Sequence, residues 1–316
     1  MNSIAQFSGL ENTALPPGPL HLAIGMFDGV HLGHRAVIEA AVQSARRSGG
    51  TVAVLTFSPH PSTLFRPGQP TRLIMDAGMK ARMLHRLGVE AMITQPFTPE
   101  FAAVAADNFL PWLKQRAPQL AAVYVGENFR FGRGRLGDIA LLVAEGRKHG
   151  LTIFSAPRVN FDGEPISSTR IRGRLEQGDV AGANALLGYT YFAEGPVVHG
   201  KHLGRTIGFP TLNLAWAPDL RPRYGVYVVR VAGAKTVEAL PGVANYGLRP
   251  TLEQALEPRL EVHLLGDCPF GPGDNVTVKW LRFLRPETKF SGLEELKAQI
   301  AKDRAEAANS FKTASA

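Results

Sequence analysis

The sequence has only one cysteine, Cys268, in 316 residues. A single cysteine excludes an internal disulfide framework and any metal cluster held by several thiolates. Long apolar runs are also missing, since no stretch approaches the roughly 20 residues of a membrane-spanning helix. The N-terminus has neither the basic start nor the apolar core of a secretory signal. We therefore expect a cytoplasmic chain with no membrane partner.

Basic tracts are absent as well, although the net charge is +8. The 35 Lys and Arg residues are spread along the chain, whereas a nucleic-acid-binding surface is typically a basic cluster with interleaved aromatic residues. A diffuse excess of positive charge is better explained by phosphate-rich small substrates or by solubility. We expect no nucleic-acid partner. An RNA-binding protein stays an alternative, which steeply salt-dependent binding would reveal.

The first half alternates short apolar runs with helical patterns, as strands buried on both faces would. The runs are His21–Gly25, Thr51–Phe57, Val89–Gln95, Ala121–Gly126 and Leu151–Ala156. Asp76 and Asp138 are placed to cap helices that end at Gly88 and Gly150. The pattern predicts an α/β domain, a doubly wound parallel sheet whose ligands bind beyond the carboxyl ends of the strands.

The stretch GMFDGVHLGH at residues 25–34 lies at such a strand end and precedes a helical pattern. The first backbone amides of a helix are unpaired and form a natural seat for phosphate. Gly33 leaves room for phosphate beside the backbone, and His31 and His34 add donors for charge on phosphorus. Two histidines at this spacing also occur as a metal pair or at a solvated helix start, so the spacing alone leaves these alternatives open.

Three more stretches are predicted to fall at strand ends. The first, TFSPHP at residues 56–61, is either a rigid surface loop or brings His60 to the site. The second, VGENFRFG at residues 125–132, has aromatic and amide groups that suit a flat heterocycle. The third, ISSTRIR at residues 166–172, supplies more donors than a helix cap needs, and its arginines match phosphate oxygens.

These stretches, in this order, resemble the adenylyltransferase module of bacterial bifunctional riboflavin kinase/FAD synthetases. The resemblance implies transfer of AMP from ATP to FMN, which yields FAD and pyrophosphate. It implies that His31 and His34 contact the ATP phosphates and the transition state, and that Asn128 lies near the nucleotide or flavin. The remaining predicted nucleotide- and phosphate-binding residues of this half are Gly25, Phe27, Asp28, Gly29, Gly33, Ser168, Thr169 and Arg172.

Beyond a last helix at Asp179–Leu187, the pattern becomes mostly extended. Short strands without intervening helices predict a small antiparallel β-barrel. The strand-like segments are Tyr191–His199, Gly225–Ala232, Val237–Asn245, Arg259–Leu265 and Asn275–Phe283. We therefore predict two domains, residues 1–186 and 187–316.

A C-terminal helix is predicted to follow the barrel. Ser291 and Glu294 match a capping box at its start. Leu293, Leu296 and Ile300 form an apolar stripe that is suited to packing on the barrel. Residues after about 308 are expected to fray.

Polar residues of the second half suggest a second phosphate site. Gly204, Arg205 and Gly208 belong to a loop that could surround a phosphate chain, although it contains no Walker motif. Thr211 and Asn213 are two residues apart and offer oxygen to a hard cation. Glu261 shares the polar face of its strand with His263, a pattern that any solvated strand face also produces. By composition alone, the glycine-rich stretch is more often an ordinary barrel loop.

The segments GRTIGFPTLN (204–213), YGLRPT (246–251), LEVHL (260–264) and LRPETKF (284–290) are similar to the riboflavin kinase module of the same family. This resemblance implies ATP-dependent phosphorylation of the terminal ribityl hydroxyl of riboflavin. It implies that Thr211 and Asn213 bind Mg²⁺ and that Glu261 is the base. Leu212 stands where the family usually has alanine, and LGYTY at residues 187–191 departs from the usual LGRPY.

Both modules together predict a bifunctional enzyme of flavin cofactor synthesis. Riboflavin and ATP would give FMN and ADP, and then FMN and ATP would give FAD and pyrophosphate, with ATP as co-substrate and Mg²⁺ as cofactor. The alternative is a nucleotidylyltransferase for another phosphate acceptor with a non-catalytic barrel. Oligomerisation is compatible with the sequence but does not follow from it.

Overall fold

The computed structural model describes residues 4–200, 204, 207–250 and 256–313. The chain divides into two compact units, Met1–Ser168 and Thr169–Ala316. Arg205, predicted to bind phosphate, and Thr251, from the second set of motifs, lie outside the described residues. Among the described residues, no helix combines the length and the hydropathy that crossing a bilayer requires.

The first unit is built on a parallel sheet. Its strands are β1 (Ala5–Ser8), β2 (Leu20–Ile24), β3 (Thr51–Ser58), β4 (Ala91–Pro96), β5 (Leu120–Gly126) and β6 (Thr152–Ala156). They are ordered β1-β4-β3-β2-β5-β6, so the parallel α/β sheet is confirmed. The sequence patterns missed β1, which has no unbroken apolar run and forms by pairing with β4 at the sheet edge. A two-stranded hairpin, β7 (Asn160–Phe161) and β8 (Glu164–Pro165), follows the sheet.

Helices connect these strands. They are α1 (Leu32–Ser48), α2 (Pro61–Phe65), α3 (Ala77–Arg86), α4 (Pro99–Ala102), α5 (Phe109–Arg116) and α6 (Ile139–Lys148). The predicted caps are confirmed, because Asp76 accepts a hydrogen bond from the Met79 amide at 2.7 Å and Asp138 accepts one from the Leu141 amide at 3.0 Å. Each carboxylate satisfies an amide that has no partner inside its helix.

The second unit contains the predicted antiparallel barrel. Two helices come first, α7 (Ser168–Gln177) and α8 (Val180–Leu187), and the strands are β9 (Phe192–Val198), β10 (Leu212–Leu214), β11 (Gly225–Gly233), β12 (Leu240–Pro250), β13 (Leu256–Leu264) and β14 (Asn275–Pro286). They close in the order β10-β13-β12-β11-β14-β9. Tyr227, Tyr246 and Trp280 are fully buried, and burial raises the pKa of both tyrosine hydroxyls.

The two helices before the barrel pack with it. Asn184 in α8 donates from Nδ2 to the Trp280 carbonyl at 2.9 Å, and the Arg223 amide donates to the Leu175 carbonyl at 3.0 Å. These bonds explain why the compact units divide before Thr169. The boundary at residue 186 concerns which module carries which activity, and that assignment stays a prediction.

The C-terminal helix, Leu293–Thr313, corrects three expectations. It begins one residue later than predicted, so Glu295 rather than Glu294 accepts from the Ser291 amide and hydroxyl, at 2.8 and 2.7 Å. Leu293 is 49% exposed, and instead Ala307 and Phe311 pack against the barrel valines. Because Phe311 is anchored there, the helix does not fray at residue 308.

His21 joins three elements of the first unit. The Tyr124 hydroxyl donates to Nδ1 of His21 at 3.0 Å, and Nε2 donates to Ser48 Oγ at 2.7 Å, while Ser48 itself donates to the Ala45 carbonyl. This arrangement uses neutral imidazole. Burial, and secondarily the charge of Arg47, lower the pKa of His21.

Replacing His21 with Gln should weaken the acid sensitivity of the first unit. Below about pH 6.5 the unfolded chain protonates this histidine while the folded chain does not, so stability is lost as the pH falls, by up to about 1.4 kcal/mol per pH unit. Hydrogen exchange of β2 peptides between about pH 7 and pH 5, corrected for intrinsic exchange, should show a shallower decline in His21→Gln. His85→Gln, at an exposed position, is the control. Equal slopes in both variants would refute the assignment.

Candidate active sites

The N-terminus of α1 carries both predicted histidines. The His34 amide donates to Nδ1 of His31 at 3.3 Å, so His31 is the N-cap. Because Nδ1 accepts this bond, neutral His31 keeps its proton on Nε2 as a donor. The two rings stack with centroids 3.6 Å apart and planes 16° apart. The helix amides and both imidazoles therefore lie together, as an anion site at a helix N-terminus requires.

The loop between β2 and α1 has an unusual backbone. Phe27, Gly29 and Val30 have φ values of 48°, 85° and 38°, in the left-handed region that bulky residues rarely adopt. The Phe27 ring is buried and meets the His34 ring edge-on, with centroids 5.3 Å apart. A Cβ on Gly33 would lie 3.2 Å from the His31 ring. Phe27 and Gly33 thus set the space in which the imidazoles sit.

Asp28 and Lys80 tie this loop to neighbouring segments by hydrogen bonds. The Asp28 carboxylate accepts from the Ile74 amide at 2.9 Å and is 1% exposed. Lys80 Nζ donates to the Met26 carbonyl at 2.8 Å and to Thr56 Oγ1 at 3.3 Å. Burial lowers the pKa of Lys80, and the Asp28 charge opposes that shift. Lys80 was not predicted, because one lysine in an amphipathic helix carries no local signal of this role.

The predicted phosphate clamp is divided between the units. Ser168 Oγ donates to the Asp28 carbonyl at 2.9 Å, which joins it to the histidine turn. The Ile166 carbonyl lies 4.0 Å from the place of a Gly33 Cβ. Thr169 and Arg172 belong to the second unit, on α7. Their phosphate-binding role, like that of Ser168, stays a prediction.

An aromatic cavity of about 780 Å³ reaches the turn at Gly25 and Met26. Phe129 and Phe131 line it with nearly parallel rings, 5.6 Å between centroids. The remaining ring-bearing lining residues are Phe57, His60, Phe65, Phe97, Phe101 and Phe109. Most of these aromatics come from distant segments, so sequence spacing did not reveal them.

Two predicted lining residues of this cavity have protein partners. His60 caps α2, since its Nδ1 accepts from the Ser62 amide at 3.1 Å. Arg158 donates to Oδ1 of Asn128 and pairs with Glu127 at 2.8 Å. Arg158 therefore holds the Asn128 amide by its oxygen, and the Nδ2 donors are directed away from Arg158. Residues 132–137 have the spacing GxGxxG, which also occurs in dinucleotide-binding turns that open directly from a strand. Here they form a short turn well after the end of β5, so they are not such a turn.

Strand pairing assembles the second candidate site. Glu261 in β13 stands directly opposite Asn213 in β10 on one side and Asn245 in β12 on the other. Directly paired residues of antiparallel strands present their side chains on the same face. Leu260 and Val262 are buried, so the predicted alternation of β13 is confirmed. Asn245 was not predicted, because only the pairing brings it to Glu261.

Two described glycines of the loop, Gly200 and Gly204, lie directly against this row. A Cβ on Gly200 would collide with the Asn213 amide, and one on Gly204 would collide with the Phe209 carbonyl and lie 3.3 Å from Thr211 Oγ1. Gly208 has a φ of 85°, which favours glycine. His263 Nδ1 donates to the Pro210 carbonyl at 2.9 Å and so ties the loop to β13.

A cavity of about 380 Å³ opens beside Glu261, Thr211 and Asn245. Phe290, from the segment after β14, and Leu296 and Ile300, from the C-terminal helix, form its apolar wall. The helix is held by Arg285, which binds Asp303 through Nε at 3.0 Å and through Nη2 at 2.8 Å. The cavity thus has an apolar wall and a polar end.

Comparisons with known proteins agree with this division. A family model for FAD synthetase matches residues 16–170, and one for riboflavin kinase matches residues 187–311. Bifunctional riboflavin kinase/FMN adenylyltransferases are 40% identical in Escherichia coli K12 and 37% identical in Bacillus subtilis, each covering 92% of both chains. The chain belongs to this bifunctional family. It is therefore a riboflavin kinase and an FMN adenylyltransferase, and the alternative with a non-catalytic barrel is not favoured.

One solved structure matches almost the whole chain. It is a protein of Streptococcus pneumoniae described as a macrolide-efflux protein, 29% identical, with a TM-score of 0.84 over 97% of this chain and 99% of its own. The efflux role in that description belongs to the streptococcal protein and is not transferred to this chain. The family membership rests on the sequence matches.

Replacing Asp303 with Asn should loosen the wall of the second cavity. Removing one partner of a largely buried ion pair leaves Arg285 without its carboxylate, at a cost of about 2 kcal/mol in the free energy of unfolding. Glu306→Gln removes an exposed pair with Arg282 between the same two elements, and should cost less than about 0.5 kcal/mol. Hydrogen exchange of the C-terminal helix measures both. Equal effects would contradict the structural role of Asp303.

Proposed function

We propose that the histidine turn carries adenylyl transfer and that the face around Glu261 carries riboflavin phosphorylation. The observation that supports this assignment is the pairing of each polar cluster with its own cavity. The turn that carries His31 and His34 reaches an aromatic cavity at Gly25 and Met26, and Glu261 lines a cavity with an apolar wall. Each cavity offers an apolar surface for a flavin ring and polar groups for a phosphate.

In adenylyl transfer, a phosphate oxygen of FMN attacks the α-phosphorus of ATP and pyrophosphate leaves. No protein nucleophile is needed, so the protein positions the reactants and stabilises charge. The α1 amides, Nε2 of His31 and the His34 ring are the donors for that charge. Gly25, Gly29 and Gly33 keep the backbone open to phosphate, and Ser168, Thr169 and Arg172 hold the outer phosphates.

In phosphorylation, the terminal ribityl hydroxyl attacks the γ-phosphorus of ATP and ADP leaves. Glu261 accepts the hydroxyl proton as general base. Asn213 and Asn245 flank its carboxylate and orient it. Gly204, Arg205 and Gly208 surround the phosphate chain, and Leu296 and Ile300 contact the flavin ring.

The residues near Glu261 fit Mg²⁺. Thr211 and Asn213 offer hydroxyl and amide oxygens, the hard ligands that Mg²⁺ prefers together with substrate phosphates. Gly200 itself places no side chain in that space, since a Cβ there would collide with the Asn213 amide. Thr211 and Asn213 would therefore hold the ion. When bound, Mg²⁺ neutralises charge on the triphosphate.

We further propose that both reactions take place in the cytoplasm on free small molecules, without nucleic-acid or membrane partners. The dispersed basic residues support this view. The activity boundary is proposed near residue 186, between the two family matches.

The two activities should separate by mutation. Glu261→Gln should lower riboflavin phosphorylation by about 10²- to 10⁴-fold while adenylylation of supplied FMN continues, because only the kinase step needs that base. His31→Ala should do the reverse. Chromatography of flavin products from the whole chain measures both. Glu194→Gln, on β9, is the matched carboxylate control and should preserve both activities. Loss of both activities from either site variant would refute the assignment.

Asn213→Ala should raise the Mg²⁺ concentration that phosphorylation requires by about 10-fold, because one hard oxygen ligand is lost. The Mg²⁺ dependence of adenylyl transfer should not change. Titration of Mg²⁺ at saturating ATP and riboflavin measures the difference. An unchanged midpoint for phosphorylation would remove Asn213 from the metal site.

A further inference from the structure

Lys80 is a buried cation to which the proposed reaction steps assign no role. It lies on α3, only 7% exposed, with its ammonium between the Met26 carbonyl and Thr56 Oγ1. Thr56 Oγ1 donates to the same Met26 carbonyl at 3.1 Å. One carbonyl at the entry to the histidine turn therefore accepts from two buried side chains.

A second set of bonds runs in the opposite direction. The Asp28 carboxylate, from the turn, accepts from the Ile74 and Met75 amides just before α3. Lys80, from α3, reaches back to Met26 in the turn. The turn is thus bound to α3 by Lys80 and to the segment just before α3 by Asp28. We call this pair of contacts the Asp28–Lys80 clasp.

The clasp fixes a peptide plane that the histidines depend on. The peptide bond is planar, so holding the Met26 carbonyl also fixes the Phe27 amide, and burial of the Phe27 ring holds the other side of its φ rotation. That φ is 48°, and the Phe27 ring supports the His34 ring edge-on. Turning the carbonyl away would break the shorter of the two hydrogen bonds of this buried ammonium, which is unfavourable.

We propose that Lys80 is a positioning residue for adenylyl transfer, which acts by holding the Met26 carbonyl and through it the Phe27–His34 contact. The inference rests on the proposed location of adenylyl transfer at the histidine turn. Lys80 itself touches neither substrate. Its contribution is to keep the imidazoles in the geometry that the transition state requires.

Lys114 is a matched comparison within the same unit. Its Nζ donates to the Leu120 carbonyl at 2.6 Å, so it also holds a backbone carbonyl at a strand end. Leu120 begins β5, whereas Met26 follows the end of β2. The two lysines therefore make the same kind of bond at opposite ends of the parallel strands, Lys114 at an amino end and Lys80 at a carboxyl end.

The test compares Lys80→Met and Lys114→Met in the whole chain. Lys80→Met should lower kcat of FMN adenylylation by about 30- to 100-fold, with KM for ATP and FMN within about threefold, because misplaced catalytic groups slow the chemical step. Lys114→Met should keep kcat within about twofold. Riboflavin phosphorylation should stay within about twofold in both, as an internal control for intact protein.

Two further variants make every outcome informative. Thr56→Val keeps the side-chain shape and removes the hydroxyl between Lys80 and Met26, so it should lower kcat by about 3- to 10-fold even where Lys80→Met does not fold. An unchanged kcat in whichever of these two variants folds overturns the role of Lys80. So does a rise in KM with kcat unchanged. His31→Ala separates the failures, since full adenylyl transfer in that variant would overturn the proposed site itself.

Discussion

Hydrogen bonds between strands decide which side chains meet at each candidate site. In the second unit, Glu261 stands between Asn213 and Asn245 only because β13 pairs in this register with β10 and β12. A slip of one residue would turn Glu261 toward the barrel interior and bring Leu260 or Val262 to the cavity. In the first unit, parallel pairing of β2 with β3 and β5 brings their carboxyl ends to one edge. The histidine turn, the His60 loop and the Asn128 loop all leave from that edge.

The histidine turn has a conformation that its own sequence does not favour. Positive φ values at Phe27 and Val30 cost on the order of 1–3 kcal/mol each for residues with a Cβ. Burial of both side chains, the bond of Met26 to Lys80 of α3 and the bond of Asp28 to the segment before α3 offset that cost. The strained backbone in turn sets the ring of His34 against Phe27. Rigidity at this point comes from the surrounding fold.

The two cavities have similar chemistry but are built from different elements of secondary structure. Each joins an apolar surface to a polar end, which suits a molecule with a flat ring and a phosphorylated or hydroxylated tail. In the first unit, aromatic rings supply the surface, and the cavity reaches the turn before α1 at Gly25 and Met26. In the second unit, Leu296 and Ile300 supply the surface and a strand face supplies the polar end. The Arg285–Asp303 pair then becomes part of the site, because it holds the helix that bears the wall.

Local signals account for what the sequence predicted well. Asp76 and Asp138 act as N-caps because a cap needs only its own carboxylate and an amide three residues later. The buried runs of β2 to β6 and the alternation around Glu261 are likewise properties of short segments. The exact residue at which a helix begins was predicted less well, because it depends on a single capping contact. The C-terminal helix began one residue later, so Glu295 took the place of Glu294.

The sequence by itself determined most strands of the sheet and barrel, the two fold classes and the family, because caps, apolar periodicity and ordered motifs are carried by neighbouring residues. Only the tertiary structure decided that β1 joins the sheet, that Asn245 flanks Glu261 and that Lys80 holds the histidine turn. These features depend on contacts between residues far apart in the chain. A buried lysine and an exposed one look alike in a helical pattern, and folding alone distinguishes them.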